Sequence, residues 1–133
     1  MRREDWVDQL FRVIDEHQGA EFAYGATDCV LFAARVADAM TDGDYEAQMR
    51  AIYQDERSAV RALAERGGLE GAVRSVLGEP IGLAYLQRGD IVLFENAGRD
   101  MLGVWDGQAI VAPTERGIGR GAVDAARMAW RVP

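Results

Sequence analysis

The order of apolar and polar positions divides the chain into a helix-forming first part and a strand-forming second part. Trp6, Val7, Leu10, Phe11, Val13 and Ile14 recur at three- and four-residue spacing. This predicts a helix from Asp5 to about Glu16 with one buried face. Asp5 is placed to cap its start, and Gly19 lies near the position that ends a helix in the left-handed conformation. Glu21 to Thr27 reads as a loop carrying two aromatics, Phe22 and Tyr24. A second helix is predicted from about Asp28 to Met40, with the cap oxygen supplied by Thr27 or Asp28. Val30, Leu31, Phe32, Ala33, Ala34, Val36, Ala37 and Met40 leave it little polar surface, so it is expected at the centre of the fold. After a turn at Thr41–Asp44, two or three shorter helices are expected between Tyr45 and Leu77. Ser58 is the expected cap of one, Gly67-Gly68 its terminator, and Gly78 with Pro80 ends the last.

Beyond Pro80 the period drops to two and β-branched residues dominate. Asp90–Phe94, Met101–Asp106 and Gln108–Ala112 read as strands, the last two joined at Asp106-Gly107, a strong hairpin signal. Gly117, Gly119 and Gly121 suggest a flexible connection, and the tail through Trp130-Arg131-Val132 a final strand. Helices first and strands last define an α+β class with a small antiparallel sheet. The block from about 41 to 80 is too short for its own core and reads as a helical insertion, or lid, within one domain spanning 1–133.

Composition narrows the function. The chain has 133 residues and a net charge of −7, with no lysine, which argues against a nucleic-acid partner. No run approaches a membrane span, and the first residues lack the apolar stretch of a secretory signal, so synthesis in the cytoplasm is expected. The single cysteine excludes an internal disulfide and a multi-thiolate zinc site, and no cofactor or metal is expected. Three short matches have plainer readings. Arg88-Gly89-Asp90 is a turn feeding a strand. Asp42-Gly43-Asp44 lacks the later acid of a calcium loop. Gly117-Ile118-Gly119-Arg120-Gly121 lacks the lysine of a phosphate loop.

The chemistry centres on that one cysteine, Cys29. A thiol in the first turn of a helix meets the positive end of the helix dipole and unpaired N–H groups, which favour the nucleophilic thiolate. A hydrolase also needs a base, usually histidine. The only histidine, His17, precedes the cysteine in the chain, and its plainer role is at a helix C-terminus, favoured by the dipole. Asp28 is most simply the N-cap. A lone cysteine on an apolar helix is ordinarily a small buried hydrophobe.

The string Tyr24-Gly25-Ala26-Thr27-Asp28-Cys29 opening an apolar helix, followed by Arg88-Gly89-Asp90-Ile91-Val92 and Leu102-Gly103-Val104, resembles the NlpC-type cell-wall cysteine peptidases. The resemblance implies a papain-like arrangement, with Cys29 as nucleophile or its relic and the Tyr24 hydroxyl as an oxyanion donor. Tyr24 reads equally as a loop anchor. The position where that family carries its catalytic histidine is filled by Met101, and Ile110–Ala112 are apolar where a polar third member is expected. Asp100 or Asp106 could orient a group but would be poor acceptors of a thiol proton.

Over nearly its whole length the chain also resembles a small family of bacteriophages, prophages and gene-transfer agents encoded among tail genes. The matching pieces are Phe22-Ala23-Tyr24-Gly25, Asp28-Cys29, Met40-Thr41, Gly67-Gly68-Leu69, Leu77-Gly78-Glu79-Pro80, Arg88-Gly89-Asp90, Leu102-Gly103-Val104 and Ala129-Trp130-Arg131-Val132. This implies a virion tail location and partners among hub, distal-tail, tip or fibre proteins. Three readings follow. The first is a structural or assembly component of a tail tip or hub on a degenerate cysteine-peptidase fold. The second is an active cysteine peptidase or amidase acting on peptidoglycan peptides. The third is a peptide- or sugar-binding module that keeps the cleft without cutting. The missing histidine ranks the first ahead. Candidate partner surfaces are the helical insertion and the segment from Arg116 to Gly121.

Overall fold

In the computed structural model, which describes residues 1–133, the helices come first and pack against one sheet. They are α1 (Trp6–His17), α2 (Cys29–Thr41), α3 (Tyr45–Ile52), α4 (Glu56–Glu65) and α5 (Gly68–Leu77). The strands are β1 (Ile91–Asn96), β2 (Arg99–Trp105), β3 (Ile110–Thr114), β4 (Gly117–Gly121) and β5 (Ala126–Trp130). All pairings are antiparallel, in the order β4-β3-β2-β1-β5. The α+β class and the antiparallel sheet are therefore as the periodicity indicates. No helix is long and apolar enough to cross a membrane.

The core explains why α2 is apolar on almost every side. Phe32, Val36, Ala37 and Met40 meet Leu10, Val13 and Ile14 of α1, while Ile91, Leu93, Leu102, Val104 and Val111 come up from one sheet face. Trp130 is fully buried among them and donates its indole N–H to Gly78 O. Leu69 and Val73 of α5 enter this same core, so the segment between α2 and the sheet is tied into the main body. On the opposite sheet face, Val92, Ile110 and Ala129 pack with Ile81 and Leu86.

Several local expectations are corrected. Asp5 precedes α1 but makes no capping bond, because its carboxylate is held by Arg3 and Gln9. The cap of α4 is Asp55, and Ser58 is its reciprocal partner three residues later in a capping box. The signal was misplaced because both residues are good caps and only tertiary context chooses between them. Gly117–Gly121 is not a loose connection but a strand, paired with β3 from Thr114↔Gly117 to Ile110↔Gly121. Glycine has low strand propensity, and here the backbone ladder overrides it. The last strand stops at Trp130, two residues short of Val132. The Asp106-Gly107 hairpin is present, its turn closed by Asp106 Oδ1 accepting from the N–H groups of Gln108 and Ala109 at 2.8 Å each.

Candidate site around Cys29

The loop before α2 is organised by Asp28. Its backbone is extended (φ −72°, ψ 169°), as an N-cap requires, and Oδ1 accepts from Leu31 N at 2.9 Å. Oδ2 accepts from Gly25 N at 2.8 Å, and the Tyr53 hydroxyl donates to Oδ1 at 2.7 Å. The carboxylate is buried, so these three donors replace its lost water. Burial, then the bond to Asp28, drives the Tyr53 phenol well above its ordinary pKa, so it remains a donor. Gly25 has φ +80°, and a Cβ there would lie 2.0 Å from Gln54 O. Only glycine lets the loop pass this close to the α3–α4 connection.

Cys29 is the first residue of α2, and its Sγ accepts a hydrogen bond from Leu102 N at 3.5 Å. The sheet explains why that amide is free. Trp105 N donates to Asp90 O, so alternation turns the N–H groups of Val104 and Leu102 towards β3. Val104 pairs with Val111. Continued by two residues, that register would set Leu102 opposite Pro113, which has no N–H to complete the pair. The two strands part there, and the sulfur takes the amide.

This contact does not activate the thiol. Burial is the largest influence on Cys29, and the nearby Asp28 charge adds to it. The Leu102 bond and the backbone N–H groups of Cys29 and Val30 act the other way. The net effect raises the pKa from 9.0 to about 11. The helix-terminus effect expected from the sequence is present in those backbone bonds, and desolvation outweighs it.

The other candidate residues are placed elsewhere. His17 is buried at the end of α1, with Nδ1 bonded to Val13 O at 3.0 Å and Nε2 facing Arg35 Nη1 at 3.0 Å. A guanidinium can only donate, so Nε2 is the acceptor and the proton sits on Nδ1. The ring stacks edge-on against Phe32. Both nitrogens are thus committed. From Arg35 a polar chain runs through Glu46 and Arg50 to Gly25 O. It ties the histidine to the cysteine loop through structure-holding contacts.

Tyr24 hydroxyl accepts from Arg99 Nη2 at 2.8 Å, and its ring meets Phe22 edge-on. Leu102 and Val104 face α2, so alternation along β2 puts Met101 on the far sheet face with Phe94, its cross-strand partner. Asp100 is paired with Arg127 at 2.7 Å, and Asp106 is spent in the hairpin turn. No group of three or more His, Cys, Asp or Glu side chains converges as metal ligands would. A concavity of about 590 Å³ between α1, α2 and α3 includes neither Cys29 nor Tyr24, and its arginines are already paired, Arg3 with Asp5 and Asp42, Arg12 with Glu16 and Arg35 with Glu46.

A family model described as a domain of unknown function, DUF6950, matches residues 1–132. The chain belongs to the DUF6950 family. No curated protein matches it. The family thus spans both the Asp28–Cys29 junction and the whole sheet. Within it, the residues that sequence reasoning missed at the site are Tyr53, Arg99 and Leu102. Tyr53 lies in a short connection between helices, 25 residues from its carboxylate partner, and no local pattern marks it. Leu102 contributes only a backbone amide, which has no sequence signature. Pro113 was the one available clue, since a proline inside a strand run signals an interrupted ladder.

Proposed function

We propose that this DUF6950 protein is a structural or assembly component of a phage-type tail tip or hub, built on a papain-like, NlpC-like fold whose cysteine no longer acts. The observation that carries this reading is the state of Cys29. Its sulfur is partly buried against a backbone amide, its pKa stands near 11, and the only imidazole of the chain is bonded at both nitrogens to other groups. At pH 8 such a thiol is ionised on the order of 1 part in 1,000, with no base beside it to take the proton.

The papain-like part is supported by a cysteine-first helix laid over an antiparallel sheet, with Cys29 facing the second strand. The tail assignment is supported by the ordered set of short matches from Phe22 to Val132. Asp28, Tyr53 and Gly25 then serve to hold the loop and helix as a rigid unit, which an assembly component needs and which requires no turnover.

The test compares wild type with Cys29→Ala. Neither is expected to release soluble fragments from purified peptidoglycan, and tails made without the protein should fail to complete their tip. Digestion by wild type but not by Cys29→Ala would overturn the reading in favour of an active cysteine peptidase or amidase. Normal tails in the absence of the protein would remove the assembly role.

A further inference from the structure

The two edges of the sheet are unequal. On the outer side of β5, Ile81 N donates to Ala129 O at 2.8 Å, and Arg127 on that strand is paired with Asp100 and Glu95. That edge is capped at Ala129 and its charge is spent. The outer side of β4 is open. The two-residue turn Glu115-Arg116 closes on Thr114 and Gly117 as a hydrogen-bonded pair. Alternation then points the N–H and C=O groups of Ile118 and Arg120 away from β3. Neither residue has a backbone or side-chain hydrogen-bond partner on that side. Gly117 is tucked against Gly19, where a Cβ would lie 2.5 Å from Gly19 N. The strand emerges from there, and Arg120 and Gly121 are exposed.

Natural edges are guarded by proline, bulges, inward charges or a covering element. Beyond the cover at Gly117, β4 has only its short length and the single charge of Arg120, and three of its five residues are glycine, so little side chain shields the backbone of Ile118 and Arg120. Arg116 and Arg120 flank it, and neither forms an ion pair, whereas Arg127 and Arg131 at the other edge both do. In a chain of net charge −7, the hairpin from 114 to 121 carries two arginines against one acid, Glu115.

We infer that the β4 edge is a docking site for an extended, acidic segment of a partner protein, which adds as a sixth strand through the backbone of Ile118 and Arg120. This deepens the assembly reading above and rests on it for the class of partner. Main-chain hydrogen bonds supply the affinity, and carboxylates on alternate residues meet Arg116 and Arg120 to set its direction. A second copy of this chain is a worse occupant, because it would bring its own two free arginines to the same edge.

The test uses the full chain, isotopically labelled, with a capped synthetic nonapeptide of alternating glutamate and valine and a lysine–valine counterpart. With the acidic peptide, exchange of the Ile118 and Arg120 amides should slow about tenfold or more. The basic peptide should leave them unchanged. Arg120→Pro removes an outward N–H without touching the β3 ladder and should abolish the protection. Arg120→Glu keeps that N–H and should weaken binding about tenfold or more. Arg61→Glu on α4 should bind as wild type does. Unprotected amides, equal response to both peptides, or wild-type binding by Arg120→Pro overturns the proposal. So does a dimer in sedimentation with these amides protected before peptide is added. Peptidoglycan digestion reports on Cys29 alone, so the two readings fail independently.

Discussion

Two aspartates open the two halves of this molecule, and each is buried, yet their lost hydration is replaced by different means. Asp28 ends the loop before α2 and takes only uncharged donors: Gly25 N, Leu31 N and the Tyr53 hydroxyl. Asp90 ends the turn before β1 and takes a two-pronged guanidinium contact from Arg131, at 3.1 Å to each oxygen, with Arg2 Nη2 at 3.9 Å and Gln87 N at 2.7 Å. The Asp28 junction stays net negative, and the adjacent thiol is discouraged from ionising. The Asp90 junction sets one carboxylate between two guanidinium groups, and it ties the N-terminal segment and the C-terminal tail to the start of the sheet. The same residue type thus adds to the burial that opposes ionisation of a thiol in one place and forms an ionic clasp in the other. What differs is only which donors the fold brings within reach.

The largest expected effect comes from breaking the clasp. Asp90→Ala leaves Arg131 and the mostly buried Arg2 facing an emptied pocket, and should lower unfolding free energy by about 3 kcal/mol in urea titrations. The partial exposure of Arg131 keeps the loss at the low end for buried pairs. A change under about 1 kcal/mol would show that Asp90 is not the anchor described.

Next in size is the pH response of Cys29. Its folded pKa lies near 11 and its ordinary value is 9.0, so folding favours the protonated thiol. The contribution is fully present below about pH 9 and declines as pH rises towards 11, because the unfolded chain gives up its proton first. The decline should total at most about 2–3 kcal/mol, read as the difference between wild type and Cys29→Ala, which cancels the tyrosines. Parallel pH profiles for the two proteins would mean that the thiol is not held neutral by the fold.

The smallest effect sharpens the neutral side of the comparison. Tyr53→Phe removes one of the three donors to Asp28 while the ring still packs with Leu31 and Ala59. The expected cost is about 1–2 kcal/mol, and alkylation of native Cys29 should remain slow. If this variant reacted as fast as unfolded protein, Tyr53 would be holding the loop shut rather than only satisfying a carboxylate.

How much was legible beforehand depends on the range of the interaction. Helix α2, its N-cap at Asp28 and the Asp106-Gly107 hairpin rest on residues within four of one another, and sequence reading found all three. The Asn96–Arg99 turn was missed, since Ala97 there has φ +52°, a conformation more typical of glycine or asparagine. Strand β4 was missed because glycines carry no side-chain pattern, and a backbone ladder needs none. At the candidate site, Cys29, Asp28 and Tyr24 could be named in advance, but their partners Leu102, Tyr53 and Arg99 lie 73, 25 and 75 residues away.

The sequence by itself determined most of the elements, β4 excepted: periodicity set which faces are apolar, and short-range turns and the Asp28 cap set where α2 and the Asp106-Gly107 hairpin begin. It also determined what was scarce, one thiol and one imidazole. Only the tertiary structure decided what those two groups do. Packing turned His17 to Arg35 and Val13, and the missing N–H of Pro113 released Leu102 to the sulfur of Cys29. The reason is physical. A side chain's reactivity is set by its desolvation and by its nearest donors and charges, and in this fold those come from segments that only packing brings together.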